Sequence, residues 1–205
     1  MDYTTLASKD TVLKTSAALK ERNVEAIIVN TGKEALEKIN ELIPQGATVN
    51  NGSSTTLQEI GMIDYLKDKN NGWNNMHAAV LAEKDPVKQA EVRQRSSFAD
   101  YYLGSVHAIT ESGEMVIASA SGSQLPSIAN TARNLILVIG TQKIVPNLEE
   151  ALKRLREYVV PLEDKRMKST GAAGTVLAKI LIFEKEPPFM GRGILVIFVN
   201  EKLGF

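Results

Sequence analysis

The chain has 205 residues, 43% hydrophobic and 23% charged, which suits a globular domain that buries its own core without staples. Lys plus Arg and Asp plus Glu both number 24, so no basic excess marks a nucleic-acid binder. The absence of cysteine excludes disulfides and any cysteine-ligated iron–sulfur or zinc centre. With only His77 and His107, a histidine-rich metal site is not expected either. No signal peptide is evident and no apolar run reaches the roughly 18 residues of a membrane span, so a cytoplasmic protein free of membrane is expected.

Taken in order, the first twenty-odd residues predict a helix capped by Asp10, with Val12, Leu13, Ala17 and Leu19 on one face. "VEAIIVN" (24–30) is a β-branched run that predicts a buried strand. Thr31 and Glu34 form a capping box ahead of a stripe of Leu36, Ile39, Leu42 and Ile43, and "IPQG" ends that helix. A second strand is expected at 47–50, then a helix from about Thr55. Strand–helix alternation at this spacing predicts an α/β fold, a mostly parallel central sheet between layers of helices.

Further on, Asp85-Pro86 opens a helix to about Arg95. "SVHAIT" and "EMVIASA" flank "ESG" and predict a hairpin closed by a type I′ or II′ turn. "LILVIG" (135–140) reads as a buried strand, 147–160 as an amphipathic helix, and "KILIFE" and "ILVIFVN" as two closing strands joined by the irregular "EPPFMGRG".

Three stretches carry chemistry. "NNGSSTTLQEIG" (50–61) follows a strand and enters a helix. Asn51, Gly52, Ser53, Ser54, Thr55 and Thr56 there are candidates for cradling an anion, since one cap needs only one hydroxyl. The alternative is a single cap with the remaining hydroxyls solvated. In "ITESGEMV", Thr110, Glu111, Gly113 and Glu114 make either a solvated turn or a ligand-side turn with Glu111 as base or nucleophile. In "ASASGSQLPSIA", Ser121, Gly122 and Ser123 make either a second anion nest or a small-residue crossing. Lys143, after strand 135–140, is placed to reach an anionic ligand. Tyr101 and Tyr102 are expected in the core, His107 as a satisfied core histidine, and His77 carries no signal.

"GSSTTLQEIG", "ADYYLGSVHAIT", "ESGEMV", "LILVIGTQKIV" and "ILVIFVNEKLGF", in this order, resemble the LUD domain of lactate-utilisation B/C proteins over essentially the whole chain, as one domain spanning 1–205. The resemblance implies a three-layer α/β sandwich similar to the glucosamine-6-phosphate deaminase, ribose-5-phosphate isomerase and CoA-transferase group, with a ligand site at the carboxyl ends of the strands. It likens Gly52–Thr56 to a sugar-phosphate loop and Glu111-Ser112-Gly113 to the catalytic Glu turn of CoA-transferases. The acidic segment of the isomerases is missing, so their chemistry does not carry over. The implied role is oxidation of lactate to pyruvate alongside iron–sulfur redox proteins. Lacking cysteine, this chain would serve as an accessory or substrate-binding component for a small carboxylate or phosphate. The alternatives are a free-standing enzyme acting on a CoA ester or sugar phosphate through Glu111, and a ligand-sensing module. Phe189, Met190 and Phe205 are expected either to seal a homodimer or to close the core.

Overall fold

A computed structural model describes residues 1–68 and 70–205. Strands β1 (Glu25–Val29), β2 (Thr48–Asn51), β3 (Asn74–Asn75), β4 (Tyr101–Gly104), β7 (Asn134–Gly140) and β10 (Gly193–Val199) form a six-stranded sheet in the order β1-β10-β7-β4-β2-β3. Every pairing in it is parallel. The remaining strands β5 (Ala108–Thr110), β6 (Met115–Ser119), β8 (Ile144–Val145) and β9 (Lys179–Phe183) make a smaller mixed sheet ordered β8-β5-β6-β9. The two predicted closing strands therefore part company: β10 lies inside the large sheet and β9 edges the small one.

Period-two alternation along β7 explains the layering. Leu135, Leu137 and Ile139 face a core shared with α1 (Lys9–Glu21) and the small sheet, through Val12, Leu19, Ile109, Met115 and Ile117. Ile136 and Val138 face the opposite core, filled by Ala35 and Ile39 of α2 (Gly32–Leu42), Leu57 of α3 (Thr55–Glu59) and Met62 and Leu66 of α4 (Met62–Lys67). A third cluster packs the outer face of the small sheet (Ala108, Val116) against Ala151, Leu155 and Val159. The small sheet and its covering helix thus add to the three layers expected. Helices α5 (Met76–Ala82) and α6 (Pro86–Ser96) lie between β3 and β4 in the chain.

Local chemistry accounts for the element ends. Thr31 accepts from the Glu34 amide, satisfying one helix-start donor of α2, while the Glu34 carboxylate reaches back to accept from Asn30 N–H just ahead of the cap. Ser8, not Asp10, caps α1, accepting from Thr11 N–H. Leu13, expected inside, is 49% exposed. The helix expected to stop at 160 instead runs on: α7 (Leu148–Arg154) passes through a π turn at Leu155–Val159 into α8 (Val160–Ser169). Pro161 has no N–H for the preceding turn, and the widened π turn absorbs that loss. Within "EPPFMGRG", Pro188–Met190 forms one 3₁₀ turn. Among the described residues no helix is long and apolar enough to cross a membrane.

Candidate functional site

Because β2, β4 and β7 are parallel, Asn51, Gly104 and Gly140 end their strands on one edge of the sheet. A cavity of about 570 Å³ opens at that edge, where open α/β sheets place ligands. Its floor is Gly52–Thr56, Tyr102, Ser105–His107, Ala118–Ser119, Gln124 and Lys143. Its walls are α4 and α5 on one side and the π turn with α8 on the other.

Lys143 is the centre of this floor. It is 3% exposed, and its Nζ donates to Thr56 Oγ1 (3.0 Å), Ser105 Oγ (3.2 Å) and Val106 O (3.1 Å). Three donors on three neutral acceptors is the geometry of an ammonium. No carboxylate pairs with it among the described residues. Burial, and the positive charge of Arg154, lower its pKa to about 7 against a weaker opposing pull from Glu59. Arg154 is itself fully buried and has no carboxylate partner. It donates to His107 O and lies against the rings of Tyr158 (5.2 Å) and Tyr3 (5.7 Å), which pack on each other at 5.5 Å, and its Nε and Nη2 have no partner among the described residues. With neither cation paired to a carboxylate among the described residues, and Glu59 only a weaker opposing charge on Lys143, the floor carries a positive potential.

His107 complements them. Its Nδ1 accepts the Ala118 N–H at 3.0 Å, so the neutral ring carries its proton on Nε2. Burial, then the charges of Lys143 and Arg154, lower its pKa to about 3 and keep it neutral. Tyr102 is 1% exposed and its hydroxyl has no hydrogen-bond partner. Burial raises its pKa, and the nearby Gly52 amide, outside good hydrogen-bond geometry, offsets this only in part. Gly52 is needed for this close approach: a Cβ there would lie 2.7 Å from Tyr102 Oη and 2.9 Å from Gln124 Oε1. The Gln124 amide is oriented by donating Nε2 to Ala118 O at 2.9 Å.

The run of four hydroxyls divides its labour. Ser54 caps α3 by accepting from Leu57 N–H, Thr56 holds Lys143, and Ser53 and Thr55 remain to line the cavity. At five residues α3 is too short to act as a strong dipole, so the floor's charge comes from side chains rather than from a helix start. Asn51 donates Nδ2 to Gly52 O and also lines the cavity, with Ser121 and Ser123. Gly122, between those serines, has a φ of 86° and backs onto the Lys179 side chain.

The Glu111 turn does not reach this cavity. Glu111 pairs with Lys14 of α1 at 2.8 Å. Glu114 is bound by Arg22, Thr110 and Ser112, and these contacts outweigh its burial and hold its carboxyl below the usual range. Arg22 also donates to Ser112 O, and Gly113 packs on the end of α1. The reason is geometric. His107 and Ala118 mark the open end of the hairpin and Glu111 its closed end, four residues or roughly 13 Å away. The turn also differs in type: Gly113 N–H donates to Thr110 O and Gly113 alone has positive φ (96°), so this is a type I turn with a glycine bulge. Thus 51–56 and 119–124 converge, and 110–114 sits elsewhere.

His107, Tyr102, Ser105, Gln124 and His77 join the site beyond the residues anticipated from sequence. The C-terminal tail does too. Thr56 and Gln142 donate to Leu203 O, Gly204 N–H donates to Glu59, and Phe205 lines the cavity. Among the described residues no group of His, Cys, Asp and Glu is clustered for a metal ion.

The LUD domain family model matches residues 12–184. The chain belongs to the LUD domain family. A crystal structure of a DUF162 family protein from Deinococcus radiodurans shares the LUD chain's fold, with a TM-score of 0.58 over 95% of this chain and 99% of that one, at 9% identity. No curated protein matches it.

Proposed function

We propose that this LUD domain protein is an accessory, substrate-binding component of lactate utilisation that holds a small carboxylate or phosphate anion at Lys143. The observation that carries the reading is a buried, cavity-lining ammonium with three neutral acceptors and no carboxylate. A buried charge is normally paired; the three Nζ hydrogens are already held by Thr56, Ser105 and Val106, so an anionic ligand on the floor would balance the charge through space rather than as a fourth hydrogen-bond partner. The Nε2–H of His107, on a side chain that lines the same cavity, adds a donor. With no cysteine to hold a cluster, electron transfer in such a pathway falls to iron–sulfur partners. Glu111, paired with Lys14 outside the cavity, has no part in this reading.

Thermal unfolding with lactate, pyruvate and phosphate tests it. A ligand at about 100 times its Kd adds about 2.7 kcal/mol, roughly 5–10 °C for a chain of this size. If none of these anions raises the Tm of the native protein while Lys143→Met behaves identically, the site is not an anion site. Gentle pull-down from native cells tests the partnership: recovery of no redox protein counts against it.

A further inference from the structure

The cavity is far larger than a three-carbon hydroxy acid requires. Cavities of about 300–1,000 Å³ house drug-sized ligands, and this one, at about 570 Å³, lies in that range. Charge is also unevenly spread over its surface. Of the charged side chains lining it among the described residues, Lys67 pairs with Asp64 (2.8 Å), and Glu163 and Arg166 pair with each other (2.6 Å). Lys143 alone is unpaired. Above the floor the walls are largely apolar: Leu66 and Leu81 on one side, Val159 and Val160 on the other, with Val176 and Leu177 beyond. Leu81 and Val176 are 60% and 67% exposed at the mouth, an open apolar surface that water solvates poorly.

We propose that the occupant is an amphipathic anion: a carboxylate or phosphate head on Lys143, with an apolar body lying between α5 and the Leu155–Val159 turn. This deepens the anion reading and rests on it. The head completes the charge balance of the floor, where Lys143 is the one charged lining side chain without an ionic partner among the described residues. The body removes Leu81 and Val176 from water, the two wall residues that stand most exposed. Lactate alone would engage the floor and leave those two side chains wet.

Isothermal titration of the full chain with straight-chain carboxylates of increasing length, with matched alkyl phosphates and with matched alcohols, reads out each part. Affinity should rise about fourfold per added methylene until the walls are covered, and the better of the two acid series names the head group. The acids should bind at least about tenfold more tightly than their alcohols. Lys143→Met should weaken every acid and leave the alcohols unchanged. Leu81→Asp and Val176→Asp, on side chains exposed enough to be tolerated, should flatten the length dependence and spare the shortest acid. Affinity independent of length, with the acids still bound, overturns the amphipathic proposal and leaves the anion site standing. Alcohols that bind as well as the acids, or no binding by any member, overturn both.

Discussion

Replacing Lys143 by Met should stabilise the protein while removing its ligand binding. The side chain keeps its length and loses its charge. Lowering a lysine from 10.5 to about 7 corresponds to about 5 kcal/mol against the charged form. Met abolishes that cost but strands Val106 O, which Nζ had bound at 3.1 Å, at about 1–3 kcal/mol. The net gain is about 2–4 kcal/mol, or roughly 5–15 °C in Tm. Its pH dependence is the sharper test. Between about pH 7 and 10.5 the unfolded chain holds a proton on Lys143 that the folded one has released, so wild-type stability from this group rises across that window. The advantage of Lys143→Met should therefore be full at about pH 6 and much reduced at about pH 9. Anion affinity should fall in the same direction, as the ammonium is lost above about pH 7. Calorimetric melts of both proteins at the two pH values check this. A variant that melts lower at pH 6, or an advantage that ignores pH, refutes the claim that Lys143 is an uncompensated buried charge.

Tyr102→Phe removes a hydroxyl with no partner among the described residues, so calorimetric melting of the variant should lie within about 1 kcal/mol of wild type or above it. Gly52→Ala drives a methyl to within 2.7 Å of that hydroxyl; a loss of about 1–3 kcal/mol is expected by denaturant unfolding, together with weaker ligand binding. Arg192→Met breaks a buried pair with Glu186 (3.0 Å) and uncaps the carbonyls of Ser127, Ile128, Ala129 and Ala132, and should cost about 3–5 kcal/mol. Glu111→Gln affects only a pair with Lys14, itself 69% exposed, and should leave both melting and anion binding essentially unchanged; a loss of binding would return that turn to the site.

The parallel sheet was legible because β1 and β7 are largely apolar runs and the capped helix α2 separates β1 from the short β2. Thr31 with Glu34 marked the start of α2, and it is the start observed. Boundaries were lost where a signal has two meanings. The helical stripe read over 147–160 ends there, yet the chain stays helical past Pro161 by way of a π turn. The 51–56 and 121–123 loops could be placed at strand ends from local order alone. Glu111 could not, since its position depends on which end of the hairpin meets the cavity, and that is set by packing of Arg22 and Lys14 far away in the chain. His107 and Tyr102 were read as core because burial and site membership look alike in sequence. Only the missing partner of the Tyr102 hydroxyl separates them.

The pinned tail bears on how the protein is handled at the bench. Gly204 has a φ of 63°, and a methyl there would fall 2.5 Å from Thr56 Oγ1 and 3.2 Å from Lys143 Nζ. A purification handle added after Phe205 would start from a residue that lines the cavity. A tag at that end would crowd the cavity during ligand screening, whereas one fused ahead of Met1 would leave it free.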